Sequence, residues 1–166
     1  MIRVKVRKSS SAELQRLIST LSQTDALYLR LRQEGAIEAR AQVRRSFAEG
    51  RDPYGRGWAP LKLRSGGPLR DTGQLAEFDV RLTPRGFVLT SGPHPAPQTH
   101  QYGATITPKV PGGWLTFSVD GTFFRVRSVT IPRRQMVPEK TWGPIWERAF
   151  EQRFRRILEE WVAEAA

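Results

Sequence analysis

Cysteine is absent from this 166-residue chain, and histidine occurs only at His94 and His100. The first absence excludes a disulfide framework, thiolate metal sites, iron–sulfur clusters and cysteine nucleophiles. The second leaves little for an imidazole metal site, which takes three or four ligands. Long apolar runs are also missing. The longest extend a few residues, against the ~20 that a membrane-spanning helix needs. The segment Met1-Ile2-Arg3-Val4-Lys5-Val6-Arg7-Lys8 has no apolar signal core. The expectation is a protein with no membrane partner, working in the compartment where it is made. Acid is scarce too: 16 Asp and Glu face 27 Lys and Arg, for a formal charge of +11. Lysine supplies only five of those cations and arginine the other 22. Arg offers a planar fork of donors and is less tightly hydrated than Lys, which suits carboxylates or phosphates. A solvated basic surface is the plainer alternative.

What is present is enough to fold. An apolar fraction of 39% with five tryptophans argues against wholesale disorder. The length fits one domain over residues 1–166. Residues 1–8 alternate apolar and basic side chains, as a half-buried strand or arm does. Ser10 or Ser11 can cap a short helix containing Leu14, Leu17, Ile18 and Leu21. Thr24 or Asp25 then opens a longer helix to about Glu49, with Leu29, Ala36, Ala39, Val43 and Phe47 as its apolar stripe and Gly50 as its stop. Gly35 inside it weakens the helix by up to about 1 kcal/mol relative to Ala.

Residues 50–73 are rich in Gly and Pro and read as an extended loop, with Trp58, Leu61, Leu63 and Leu69 as anchors. From there the period falls to two. Phe78-Asp79-Val80-Arg81-Leu82, a turn at Pro84-Arg85-Gly86 and Phe87-Val88-Leu89-Thr90 predict a hairpin. Residues 92–97 are too proline-rich for a central strand. Asp120-Gly121 between residues 114–119 and 122–126 is a strong hairpin signal. Val129-Thr130-Ile131 reads as one more short strand, and residues 132–138 as an extended connector. A helix follows from Trp142 or Pro144 to Val162, with a wide stripe of Ile145, Trp146, Ala149, Phe150, Phe154, Ile157, Leu158, Trp161 and Val162. The predicted fold class is α+β. An antiparallel sheet of β-hairpins packs against a long N-terminal-half helix and a C-terminal helix, with long extended loops.

Catalytic constellations are missing from the sequence. There is no Gly-x-Gly-x-x-Gly or Walker loop and no Gly-x-Ser-x-Gly elbow. No acid lies between Asp79 and Asp120 to join His94 and His100 at a metal. Asp71, Glu77 and Asp79 form the mid-chain acid cluster, and they read better as a turn and the polar face of a strand than as an acid–base pair. Nucleic-acid binding is a stronger rival. Arg125 and Arg127 stand beside Phe123 and Phe124, Arg133 and Arg134 are adjacent, and Arg153, Arg155 and Arg156 flank Phe154. Basic grooves with aromatic platforms hold single strands, although no zinc-finger or RNA-recognition signature occurs. Arg and aromatic side chains are equally the residues enriched at subunit interfaces.

Four segments carry a family resemblance: Phe47-x-x-Gly50-x-Asp52-Pro53-x-Gly55-x-x-Trp58-Ala59-Pro60-Leu61, Leu69-x-Asp71-Thr72-Gly73-x-Leu75, His100-Gln101-Tyr102-Gly103-Ala104, and Ile131-Pro132-Arg133-Arg134-Gln135-Met136-Val137. In order and spacing they resemble the virion-morphogenesis family of Mu-like and related tailed phages, the tail-completion and neck proteins. The resemblance spans roughly residues 26–160. Phe78 stands where that family often has serine, and Gln135-Met136 where it usually has proline and an aromatic.

The resemblance implies a structural protein of the virion, at the neck or tail end. It would assemble as a homo-oligomeric ring that joins head to tail or completes the tail. It implies no catalysis, cofactor or metal. Its partners would be copies of itself and other neck, connector or tail proteins with acidic surfaces, with non-specific contact to genomic DNA as a second role. Trp58 and Leu61 would anchor the loop, core packing being the alternative for Trp58. Gly73 and Gly103 would sit where the backbone needs positive φ or close approach. Tyr102, Arg133 and Arg134 complete the interface or structural candidates, with Arg134 as a fork to a carboxylate. A basic nucleic-acid-binding module is the alternative function.

Overall fold

Two long helices pack together among the described residues and carry the first hairpin. The computed structural model describes residues 15, 19, 24–62, 69, 74–91 and 96–165. Of the helix expected around Leu14–Leu21, Gln15 and Ser19 are described and helical; its other residues, the expected strand at 1–8, and Leu63, Asp71, Gly73 and His94 lie outside the described residues. Helix α1 is Thr24–Glu49. Ala36, Ala39, Val43 and Phe47 are buried along one stripe, as their spacing predicts. Leu29 departs from that stripe and is exposed, because it lies beyond the part of α1 that the core covers. Gly50 ends the helix at φ +65°, and the Arg51 N–H reaches back to Ser46 O at 3.1 Å. That is the six-to-one bond of a glycine-terminated helix.

Helix α2 is the short segment Ala96–Tyr102, and α3 is Pro144–Ala165. Helix α3 runs antiparallel to α1. Arg153 inserts its guanidinium between Glu34 and Glu38, donating from Nε at 2.7 Å and Nη1 at 3.0 Å. The two carboxylates are four residues apart and so face the same way. Burial alone would lower the Arg153 pKa, but the two carboxylates outweigh it and raise it. Arg30 pairs with Glu160 farther along. Gly35 explains itself at this contact: a Cβ there would lie 2.9 Å from Phe87 Cε1 and 3.2 Å from Phe154 Cζ. The helix gives up propensity so that two aromatic rings reach its backbone.

Among the described residues, all the strand pairing is antiparallel, and it is divided among three two-stranded sheets. Strands β1 (Phe78–Thr83) and β2 (Gly86–Ser91) form the first hairpin. It lies on α1, where Arg40 Nε donates to Phe78 O at 3.2 Å and Arg32 Nη1 to Thr83 O at 2.8 Å. Such a hairpin is marginal alone and needs a helix to cover one face. Phe78 is buried, Val80 half-buried and Leu82 exposed, so the cover thins toward the turn.

Strand β3 (Ala104–Ile106) pairs with β6 (Val129–Ile131), and β4 (Leu115–Val119) with β5 (Thr122–Val126). Asp120 and Gly121 both have positive φ, +49° and +79°, as a type I′ turn requires. The core joins Val43, Phe47, Trp58, Phe78, Met136, Trp146 and Phe150. The wide stripe read on α3 is only partly covered. Trp146, Phe150 and Ile157 are buried, whereas Ile145, Leu158 and Val162 are exposed, because α1 and β2 occupy a narrower face than the stripe offers.

Candidate functional site

Three of the four motif segments meet at one junction, joined by hydrogen bonds that span up to 77 residues of sequence. The loop after α1 is organised first, by its own residues. Asp52 Oδ1 accepts the Tyr54 N–H at 2.9 Å and the Arg56 N–H at 2.8 Å, and its Oδ2 accepts Arg56 Nε at 2.7 Å. Asp52 N–H donates to Arg56 O at 2.8 Å, and Gly55 turns at φ +88°. A short aspartate ahead of proline satisfies turn amides in this way. The result is a closed loop whose end delivers Trp58. That indole is buried, edge-on to Phe47 at 5.2 Å between centroids, and it donates Nε1–H to Gln135 O at 3.0 Å.

The connector of residues 132–138 lies against this loop. Arg134 is 5% exposed. It donates from Nε to Ala59 O at 2.9 Å and from Nη2 to Pro60 O at 3.2 Å. Among the described residues, the fork expected to hold a carboxylate holds loop carbonyls. Two backbone acceptors that the Gly- and Pro-rich segment cannot satisfy internally are aimed at it. Burial lowers the Arg134 pKa.

Helix α2 closes the junction. Arg134 N–H donates to His100 O at 2.7 Å. The Gln101 amide is buried. Its Oε1 accepts the Met136 and Val137 N–H groups at 2.8 and 3.2 Å, and its Nε2 donates to Val137 O at 2.8 Å. Gly103 has φ +76°, and a Cβ there would stand 3.1 Å from Arg133 N and 3.2 Å from Ile131 O. Gly103 thus meets both expectations for it, positive φ and close approach. Arg133 points outward and bonds Gln135 Oε1 at 2.8 Å and Glu139 Oε1 at 2.7 Å. Tyr102 is exposed and Leu61 half-buried beside the junction. Leu69 is buried, and Gly73 lies outside the described residues. Gln101 belongs to the third motif segment but is not among the site candidates, and nothing in that segment says that its amide binds backbone.

His100 lies half-buried between junction and hairpin, with its Nδ1 buried and unpartnered. Burial, then the charge of Arg134, pushes its pKa below the ordinary 6.5. It borders a groove of about 510 Å³ whose walls include Leu61, Phe117, Phe124 and Ile131.

The hairpin β4–β5 is the second feature, an arm with two faces. Phe117 and Phe124 stack at 5.6 Å on the inner face. The outer face carries Trp114, with the guanidinium of Arg127 3.8 Å and that of Arg125 4.8 Å from its ring centroid. Arg127 also donates to Gly113 O at 3.0 Å and to Gly112 O. Phe123 beside them is 79% exposed.

A third feature is an open apolar groove of about 730 Å³ on the C-terminal half of α3. Phe154, Leu158, Val162 and Ala163 form its floor, with Glu159 and the ion pair Arg155–Glu151 at its edges. Among the described residues, no three His, Asp or Glu side chains converge as a metal set, and no helix is long and apolar enough to cross a membrane. Compared with known proteins, the chain matches no family model, no curated protein and no solved structure.

Proposed function

We propose that the chain is a structural protein of phage virion assembly, not an enzyme. It joins head to tail or completes the tail at the neck, as a ring of identical subunits. The observation that carries this reading is the junction. Segments 47–61, 100–104 and 131–137, singled out by their resemblance to the morphogenesis family, are hydrogen-bonded to one another through Trp58, Gln101 and Arg134. The side-chain donors and acceptors of Trp58, Gln101 and Arg134 bind backbone, so these three motif residues build a scaffold. Surfaces for partners lie elsewhere, on the arm and the α3 groove. The test is electron microscopy of particles from a phage that carries this chain, with the chain deleted. Unjoined heads and tails, or tails without a finished end, are expected. Normal, joined, infectious virions would sink the reading.

A second reading, a basic nucleic-acid-binding module, draws on the arm, where Trp114, Phe123, Arg125 and Arg127 share a face. Most other candidate cations have protein partners. Arg133 bonds Glu139, Arg134 loop carbonyls, Arg153 Glu34 and Glu38, and Arg155 Glu151. Binding to single strands and duplex against salt separates the readings, because a phosphate binder loses affinity steeply as salt rises. No binding at about 50 mM salt removes it.

A further inference from the structure

We propose that the outer face of the β4–β5 arm of one subunit docks into the apolar groove on α3 of the next copy. Phe123 is the inserted knob, and Arg125 lies against Glu159. This rests on the ring reading above and says which surfaces make the ring.

The two surfaces complement each other in shape and charge. Phe123 is the most exposed large apolar side chain described, and the groove floor is apolar along Phe154, Leu158 and Val162. Those three lie at four-residue spacing along one row of the helix; Phe154 is half-buried against α1 at Gly35, and Leu158 and Val162 beyond it are exposed. Between Ala104 and Gln135 the sole acid is Asp120, against Lys109, Arg125, Arg127, Arg133 and Arg134. Residues 157–164 reverse the sign with Glu159 and Glu164, while Glu160 is held by Arg30 and Arg156 and the groove's own cation, Arg155, by Glu151. The C-terminal end of a helix adds further partial negative charge. In a chain of net +11, the acidic end of α3 is the local exception that a cationic arm can find.

The same charges fix the symmetry. Arm against arm would oppose cations, and groove against groove would oppose acids, so both self-pairings are disfavoured. Nor can a subunit fill its own groove. The arm is seated beside Leu61, His100 and Arg134, at the C-terminal end of α1. The groove lies beside the N-terminal half of α1, where Arg30 meets Glu160. A helix of 26 residues spans about 39 Å between those ends. A contact between opposite ends is head-to-tail, and it closes into a ring when its rotation closes.

The test uses native mass measurement of the full chain with two single variants, Phe123→Asp on the arm and Leu158→Asp in the groove. Both side chains are exposed, so melting temperatures should match wild type. Wild type should assemble, and each variant alone should associate at least ~10-fold more weakly, as loss of an aromatic or central apolar anchor does. Mixed together, the variants keep one competent arm and one competent groove. They should therefore form one-to-one dimers and nothing larger. Combining Arg125→Glu with Glu159→Arg in one chain should restore assembly that either change alone weakens.

Four results would overturn the proposal. If both variants assemble like wild type, the ring uses other faces and the ring reading survives. If wild type is monomeric at every concentration, the ring reading falls as well. If Leu158→Asp lowers the melting temperature but not the mass, the groove is covered by the chain's own segment before Thr24. If Phe123→Asp abolishes single-strand DNA binding but not assembly, the arm serves nucleic acid.

Discussion

Trp58 at the junction is 8% exposed and gives its indole N–H to a backbone carbonyl, whereas Trp114 on the arm is 44% exposed and carries two guanidiniums on its ring. The arginines differ in the same way. Arg134 is enclosed and binds Ala59 O and Pro60 O, while Arg125 and Arg127 lie on an exposed face. One vocabulary of indole and guanidinium thus does two jobs. Inside, it satisfies the polar backbone of a loop that has no regular structure to do so. Outside, it forms a stiff cationic surface whose apolar neighbour, Phe123, has nothing to cover it in the single chain. Residue type does not separate the two uses, and burial does.

The sharpest break of that contrast is Trp58→Ala against Trp114→Ala. The first removes a buried indole and its hydrogen bond, and should cost about 3–5 kcal/mol in chemical denaturation. The second loses an exposed cation–π contact, and should cost at most about 1 kcal/mol. Next is Arg134→Ala, which leaves two enclosed carbonyls without donors and should cost about 2–3 kcal/mol. Arg134→Lys should rescue little, since a point charge cannot reproduce the fork. Arg127→Ala should leave the midpoint nearly unchanged. Third, Gly103→Ala meets a positive φ and the Arg133 amide, and should cost about 1–2 kcal/mol by the same measurement.

The smallest effect concerns His100. A histidine kept neutral in the fold gains a proton more readily in the unfolded chain, so acid favours unfolding. Its contribution is full above pH 6.5 and declines as pH falls from there toward the lowered folded value. Melting temperature should slope downward from pH 6.5 to 5.5, and His100→Gln should flatten that slope.

Much of the architecture is legible in the sequence because it is locally encoded. Stripes at helical spacing mark α1 and α3, Gly50 marks a stop, and Asp120-Gly121 marks a turn. What stays hidden depends on distant segments. Strand β3 has three residues, too few for a period to register, and exists because β6 lies beside it. Prolines 93, 95 and 97 mask α2, although Pro97 sits in its first turn, where a missing N–H does no harm. Gln135 and Met136, departures from the family pattern, are buried in the junction. The site candidates divide similarly. Gly103 was readable as a special backbone position. The true partner of Arg134 was not, because a carbonyl gives no sequence signal, whereas a carboxylate does. Gln101 stands in a motif segment, but its backbone partners are hidden for the same reason.

The nesting of β4–β5 between β3 and β6 has a consequence for time as well as shape. A hairpin with a type I′ turn closes in about 1–10 μs, with no help from distant residues. Bringing β3 to β6 through open chain means closing all of residues 107–128. Once the arm has zipped, only the links 107–114 and 127–128 remain flexible, which roughly halves the loop and lowers its closure entropy by about 0.6 kcal/mol. The arm thereby favours an order of events: inner hairpin, then outer pair, then delivery of residues 132–138 to Trp58 and Gln101. The part of the molecule that looks most detached in the finished fold is the part that helps the connector find its place.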